Sequence, residues 1–237
     1  MEILAFPYAY GSKNIYYELK NELGSRFGLH PFDYPAHGTR LDEKALRSIS
    51  AIVDDAYEQI KEFISVPYCL LGYSMGGIVT FELYQKLMRE NQPLPEHIFI
   101  LASKELNWKY ENYEYENFGL EEIKKVLREK NGTSEEILAE NELIELISPA
   151  VKADSIALRD YSCDADKTIP VKCKITIIRG SKEINIEHCK ESWERYLKRE
   201  CEYIIVNGDH FFLFNEGKDM TKKIANIISD KLSAIRR

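Results

Sequence analysis

Apolar and polar residues follow two different rhythms along this chain. Short strand-like runs occur at Ile3 to Phe6, Leu29 to Asp33, Tyr68 to Leu71, Ile98 to Ala102, Ile175 to Arg179 and Tyr203 to Val206. Between them, longer segments repeat apolar residues at helical intervals. From Ser50 to Ile64, the residues Ile52, Val53, Ala56, Tyr57, Ile60, Phe63 and Ile64 share one face, while Asp54, Asp55, Glu58 and Lys61 point away. Strand and helix in regular alternation predict a mostly parallel sheet covered by helices on both faces.

The alternation breaks between Ala102 and Pro170. Trp108, Tyr110, Tyr113, Tyr115 and Phe118 crowd the first half of this stretch. In the second half, Ser134 to Asp160, the residues Ile137, Leu138, Leu143, Ile144, Ile147, Val151 and Leu158 recur at helical spacing. Compact domains rarely hold so long a connection without a purpose. Residues 104–160 are therefore expected to form a helical lid, inserted into one α/β domain spanning 1–237. A chain of 237 residues can bury the core such a domain needs.

Composition excludes several classes of function. The five cysteines are scattered, with no Cys-x-x-Cys pair, so neither a disulfide framework nor a zinc site is expected and a reducing cytoplasm fits. A net charge of −7, without any basic cluster interleaved with aromatics, argues against nucleic acid. Met1-Glu2-Ile3 runs straight into a strand pattern with no cationic leader. The longest uncharged stretch, around Cys69 to Phe81, is too short and too rich in glycine to span a membrane. A cytoplasmic monomer without membrane contact is the expectation.

The chemistry centres on Gly72-Tyr73-Ser74-Met75-Gly76. A buried strand pattern ends here and a helical pattern begins directly afterwards, the layout of a nucleophile elbow. The turn is so sharp that residues two before and two after the serine must be small. Ser74 is the candidate nucleophile. Its hydroxyl needs a base, and His210, in a loop between the last strand pattern and a C-terminal helix, is the best placed of five histidines. His30, His97 and His188 fall in or beside regular elements and read as structural or surface residues. His37, in the loop Pro35 to Arg40, is close enough in pattern to approach the site.

A third group must orient the imidazole, and α/β-hydrolases use the chain order Ser, acid, His. Two acids follow strand patterns on the correct edge: Glu183 in Gly180-Ser181-Lys182-Glu183, and Glu105 in Ser103-Lys104-Glu105. Glu183 takes precedence, with Glu105 as its alternative. The oxyanion of a tetrahedral intermediate needs preorganised donors. The N–H of Met75 supplies one, and the N–H of Ala9, in the loop Phe6 to Ser12 after the first strand, is the candidate for the second.

Four segments together resemble the type II thioesterases of nonribosomal peptide and polyketide synthesis: Phe6 to Ser12, Gly72 to Gly77, Pro149 to Asp154, and Gly208 to Leu213. The similarity spans nearly the whole chain. It implies an α/β-hydrolase fold with a helical lid and hydrolysis of acyl groups from the phosphopantetheine arm of an acyl or peptidyl carrier protein. It implies no cofactor beyond that substrate-borne arm, and no metal. It also places the acid on the Gly-x-x-acid loop, hence Glu183, and an oxyanion donor on the alanine of the Pro-x-Ala loop, hence Ala9.

This chain departs from the family pattern at four places. Tyr73 stands where the family usually has His, Tyr10 where it usually has Gly, and Glu183 where it typically has Asp. Ser103-Lys104-Glu105 replaces a common Ser-Gly-Arg. Carrier proteins are generally acidic, as this chain is, so docking is expected to be local and largely apolar, with Lys104 or Lys109 contributing. The alternative readings are a small-molecule carboxylesterase or acyltransferase on the same fold, and a catalytically silent carrier-binding module.

Overall fold

The computed structural model describes residues 1–130 and 133–235. Among these residues six strands form one parallel sheet: β1 (Glu2–Phe6), β2 (Gly28–Pro31), β3 (Tyr68–Tyr73), β4 (His97–Leu101), β5 (Lys174–Gly180) and β6 (Glu202–Val206). Their order across the sheet is β2-β1-β3-β4-β5-β6, and every neighbouring pair is parallel. After β1 the chain builds β2 on one side, then crosses to build β3 on the other. The direction of winding reverses between β1 and β3, so a crevice opens at their C-terminal ends, the usual place for a ligand in an open α/β sheet.

Among the described residues nine α-helices accompany the strands: α1 (Tyr17–Leu23), α2 (Ile49–Ile60), α3 (Met75–Arg89), α4 (Leu120–Glu129), α5 (Glu135–Ala139), α6 (Asn141–Asp160), α7 (Ile186–Leu197), α8 (Phe212–Asn215) and α9 (Gly217–Ile235). The strands alternate apolar side chains between two cores, because successive residues point to opposite faces. Ile3 and Ala5 of β1 pack with Leu19 of α1 and Ile224, Ile228 and Leu232 of α9. Leu4 and Phe6 pack with Ile52 and Val53 of α2, Ile78 and Phe81 of α3, and, across the same face, Trp193 of α7. Both faces are thus covered, as the near-continuous apolar strand patterns required.

Two expected boundaries shift for visible reasons. The second strand stops at Pro31 rather than Asp33, because Asp33 turns inward and its carboxylate accepts the N–H groups of Lys13 and Thr39. The helix expected over Ser50 to Ile64 starts at Ile49, capped by the Ser48 hydroxyl, and ends at Ile60, where Phe63 N–H turns back to the Ile60 carbonyl. The long connection between β4 and β5 carries α4, α5 and α6. These close around their own cluster of Ile123, Val126, Leu127, Leu138, Ile144 and Val151. The C-terminal half of α6 also reaches the main core through Ala157 and Leu158. Among the described residues no helix is long and apolar enough to cross a membrane.

Candidate active site

Ser74 sits between β3 and α3 with φ 53° and ψ −113°, a backbone conformation that a residue with a side chain adopts at a cost of about 1–3 kcal/mol. The flanking glycines make the turn possible. A Cβ at Gly72 would land on the Gly76 carbonyl oxygen, and one at Gly76 would land on the Phe6 carbonyl oxygen. The turn is pinned by Ser74 N–H to the Leu101 carbonyl at 2.8 Å and Gly77 N–H to the Ser74 carbonyl at 2.9 Å.

His210 reaches Ser74 from the loop between β6 and α8. Gly208, at φ 129°, reverses the chain there, and Asp209 accepts the Phe211 N–H at 2.7 Å. The backbone carbonyl of His210 accepts the Tyr73 hydroxyl at 2.7 Å, so the residue just before Ser74 fixes the histidine loop. His210 Nδ1 lies 3.1 Å from Glu183 Oε2, and Nε2 lies 3.0 Å from Ser74 Oγ. An ionised carboxylate only accepts, so Nδ1 carries the proton and Nε2 is left to receive the proton of Ser74.

Glu183, whose side chain is 3% exposed, is held by more than the histidine. Its Oε1 accepts Arg179 Nε at 3.0 Å and Gly180 N–H at 2.8 Å. Burial pushes its pKa up, but the hydrogen bond from His210 and the charges of Arg179 and His210 outweigh burial and hold it below the ordinary carboxylate value. The side chain folds back onto its own turn, which is how the extra methylene relative to Asp is absorbed.

Sequence reasoning missed Arg179. Its side chain is 1% exposed and also donates to the carbonyls of Ser103 at 3.0 Å and Ile184 at 3.2 Å. The available signal was a cation ending an otherwise apolar strand, since a buried charge demands partners. Glu105 lies elsewhere. It borders a small recess beside Arg179, Ile184 and Cys189, and the Nδ1 it would need is already bonded to Glu183.

The two expected oxyanion donors occupy suitable backbone. Met75 is the first residue of α3, where an N–H has no partner within the helix. Ala9 is buried in the loop after β1, and among the described residues its N–H makes no hydrogen bond. Tyr10, beside it, is held at φ 71°, which is the reason glycine suits this position.

A cavity of about 410 Å³ opens over Ser74 and His210. Tyr8, Tyr10, Tyr110, Leu127, Leu158 and Phe211 form apolar wall, and Lys104, Lys130 and Lys182 are matched by Glu129, Glu183 and Asp209. Lys104, expected to contribute to docking, lies on the wall of this cavity. Its ammonium lies 4.2 Å from the Trp108 ring centroid and 5.3 Å from that of Tyr110. Burial, with help from Lys130, pushes its pKa down to about 8.

The remaining histidines take other places. His37 is buried against Asp154 without touching Ser74. His97 begins β4 and bonds Thr176, and burial lowers its pKa to about 4. His30 pairs with Glu2 at the sheet edge, and His188 is exposed on α7. Among the described residues no group of three or more His, Cys, Asp or Glu could hold a metal ion.

A Ser-His-acid relay at the end of a parallel sheet serves many leaving groups. A profile of the Thioesterase domain matches residues 1–232. The chain belongs to the thioesterase family. This thioesterase is a thioester hydrolase, and its resemblance to the type II enzymes extends along the chain. It is 27% identical to the gramicidin S biosynthesis protein GrsT of Aneurinibacillus migulanus over 93% of this chain and 86% of that one. It is 23% identical to the medium-chain S-acyl fatty acid synthase thioesterase of Homo sapiens, over 96% of this chain and 85% of that one. Its fold matches ClbQ from the colibactin NRPS/PKS pathway with a TM-score of 0.86 and 21% identity, covering 99% of this chain and 98% of that one. The fold of YbtT, a type II thioesterase from the yersiniabactin NRPS/PKS pathway, matches with a TM-score of 0.81 and 21% identity, over 95% and 91% of the two chains.

Proposed function

We propose that this thioesterase hydrolyses acyl groups from the phosphopantetheine arm of a carrier protein through an acyl-enzyme on Ser74. The observation that carries the reading is the His210 ring, bonded at one end to Ser74 and at the other to a buried, ionised Glu183. His210 takes the Ser74 proton as Oγ attacks the thioester carbonyl carbon. The Met75 and Ala9 amides stabilise the oxyanion, and Glu183 stabilises the imidazolium. The carbon–sulfur bond then breaks, and the proton on Nε2 passes to the departing thiolate. Water, deprotonated by the same nitrogen, attacks the acyl-serine; the proton returns to Oγ and the acid leaves.

The segment 104–160 acts as the lid. It contributes Lys104, Tyr110, Leu127 and Leu158 to the cavity wall, so an acyl chain on Ser74 would lie between it and the sheet edge. The carrier as partner is supported by relatives in gramicidin S, colibactin and yersiniabactin biosynthesis. The test compares one acyl group on a phosphopantetheinylated carrier and on a free small thiol. Carrier contacts remote from the scissile bond should raise kcat/KM, because part of that binding energy is realised in the transition state. Equal efficiency on both thioesters, with faster turnover of oxyesters, would replace this reading with a small-molecule esterase.

A further inference from the structure

One buried carboxylate oxygen joins three separate parts of the molecule. Asp154, on α6 and 1% exposed, accepts the Tyr10 N–H at Oδ2 with a distance of 2.7 Å. The same oxygen lies 3.0 Å from His37 Nε2. The other ring nitrogen of His37, Nδ1, lies 3.0 Å from the Pro35 carbonyl oxygen. Each ring nitrogen faces an oxygen, the Asp154 carboxylate on one side and the Pro35 carbonyl on the other, an arrangement that favours the doubly donating imidazolium form of His37. Burial disfavours that charge, yet Asp154, with a hydrogen bond to Pro35 and the more distant Asp33, raises the His37 pKa above its ordinary value.

The bond to Tyr10 is placed where it can matter for catalysis. Tyr10 follows Ala9 and is held at φ 71°, outside the range that a tyrosine prefers. Fixing the Tyr10 N–H fixes the peptide plane between Ala9 and Tyr10, which leaves only the two soft dihedrals of Ala9 between that anchor and the Ala9 N–H. A second anchor works in the same sense. The Tyr10 hydroxyl donates to Ser155 Oγ at 2.9 Å, because the Ser155 hydroxyl is itself committed to the Val151 carbonyl at 2.7 Å. Tyr10 is therefore tied at backbone and side chain to consecutive residues of α6. Water at this site would have offered the loop other conformations, but Asp154 and His37 are both buried.

We propose that Asp154 and His37 are positioning residues for the oxyanion hole: the Asp154 carboxylate, held by His37, locks the strained Tyr10 backbone and so aims the Ala9 N–H at the reacting oxygen. The inserted segment then does more than cover the acyl chain. Its last helix carries the part that keeps the hole assembled, and a displacement of α6 would disarm the enzyme without touching Ser74, His210 or Glu183. This role rests on Ala9 being an oxyanion donor, and the experiment separates the two.

Asp154→Ala and Asp154→Asn would be compared with two backbone esters, in which the α-hydroxy acid analogue replaces Ala9 or Tyr10 and removes one N–H. Three quantities would be read for each folded protein. They are kcat and KM on an acyl thioester, affinity for an alkyl boronic acid whose tetrahedral adduct places an oxygen in the hole, and affinity for a thioether analogue that does not. Asp154→Ala should lose about 100-fold in kcat and in boronate affinity, the scale of a lost oxyanion donor, with KM and thioether affinity within about twofold. Asp154→Asn, which keeps an acceptor for Tyr10, should lose only about tenfold. The Tyr10 ester, which removes the N–H that Asp154 holds, should behave like Asp154→Ala, and combining it with Asp154→Ala should add little. If Asp154→Ala fails to fold, the Tyr10 ester and Asp154→Asn carry the test. A Tyr10 ester and an Asp154 variant with kcat and boronate affinity near wild type would overturn the role of Asp154, provided the Ala9 ester is impaired. An unimpaired Ala9 ester would remove Ala9 from the hole, and the role of Asp154 with it.

Discussion

Glu183→Gln tests the relay at its most constrained member. Gln offers one oxygen and one NH2 group in place of two acceptors. Arg179 Nε and the Gly180 N–H both donate to the same side of the present carboxylate, at 3.0 and 2.8 Å, so the amide oxygen must turn toward them. The NH2 then faces His210 Nδ1, now 3.1 Å from Oε2. A donor there forces the His210 proton onto Nε2, the nitrogen that must accept from Ser74. The opposite rotamer would set NH2 against two donors. The variant therefore holds the wrong tautomer, and kcat should fall about 10⁴-fold, about 5 kcal/mol of transition-state stabilisation. Stability should also fall, since Arg179 loses its countercharge while buried. That costs about 3 kcal/mol, at the low end for a broken buried pair because Ser103 and Ile184 still accept from it, and shifts Tm by about 6–12 °C.

The pH dependence follows from the sign of the shift. The folded Glu183 pKa is below its ordinary 4.5, so the ionised form contributes stability fully above 4.5, and this is lost as pH falls through the folded value. The variant should lack that loss and show a flatter Tm against pH below 4.5. Thiol release followed with a chromogenic disulfide gives kcat, and calorimetry gives Tm. A kcat loss below about tenfold in folded protein would refute the tautomer argument.

Ser74→Ala should abolish turnover and labelling by a serine-directed phosphonate while keeping the fold; residual hydrolysis near wild type would remove Ser74 as nucleophile. Tyr73→Phe removes the hydroxyl that holds the His210 carbonyl and should cost about 1 kcal/mol of stability, with a modest drop in kcat, measured by denaturant unfolding and steady-state rates. Burial lowers the Lys104 pKa to about 8 from 10.5, so its charge opposes folding at pH 7 and this penalty fades as pH rises past 8. Lys104→Met should therefore raise Tm at pH 7, with the gain shrinking by pH 10; an unchanged gain would contradict the assignment. Hydrogen exchange in Leu120–Glu129 and Asn141–Asp160 should slow when an acyl-phosphonate occupies Ser74, whereas equal rates would argue for a passive insertion.

The sequence by itself determined the periodic skeleton and the residues whose chemistry is local. Six strand runs, the alternation with helices and the elbow around Ser74 depend on short-range geometry: a pleat of period two, a helix of period 3.6, and a turn that excludes side chains at Gly72 and Gly76. His210 was legible because a loop after the last strand must lie at the same sheet edge as the elbow. The choice between Glu183 and Glu105 was not decidable from spacing, since both follow strands on that edge. Only the tertiary structure separates the two, by setting the Glu183 carboxylate against His210 and Arg179, and this supports Glu183 as the acid. The pairings of Asp154 with His37 and with Tyr10 were out of reach for the same reason. These partners lie far apart in sequence, 117 residues for His37 and Asp154 and 144 for Tyr10 and Asp154, and such pairings leave no periodic trace. They exist because buried polar groups must find partners wherever the packed chain brings them.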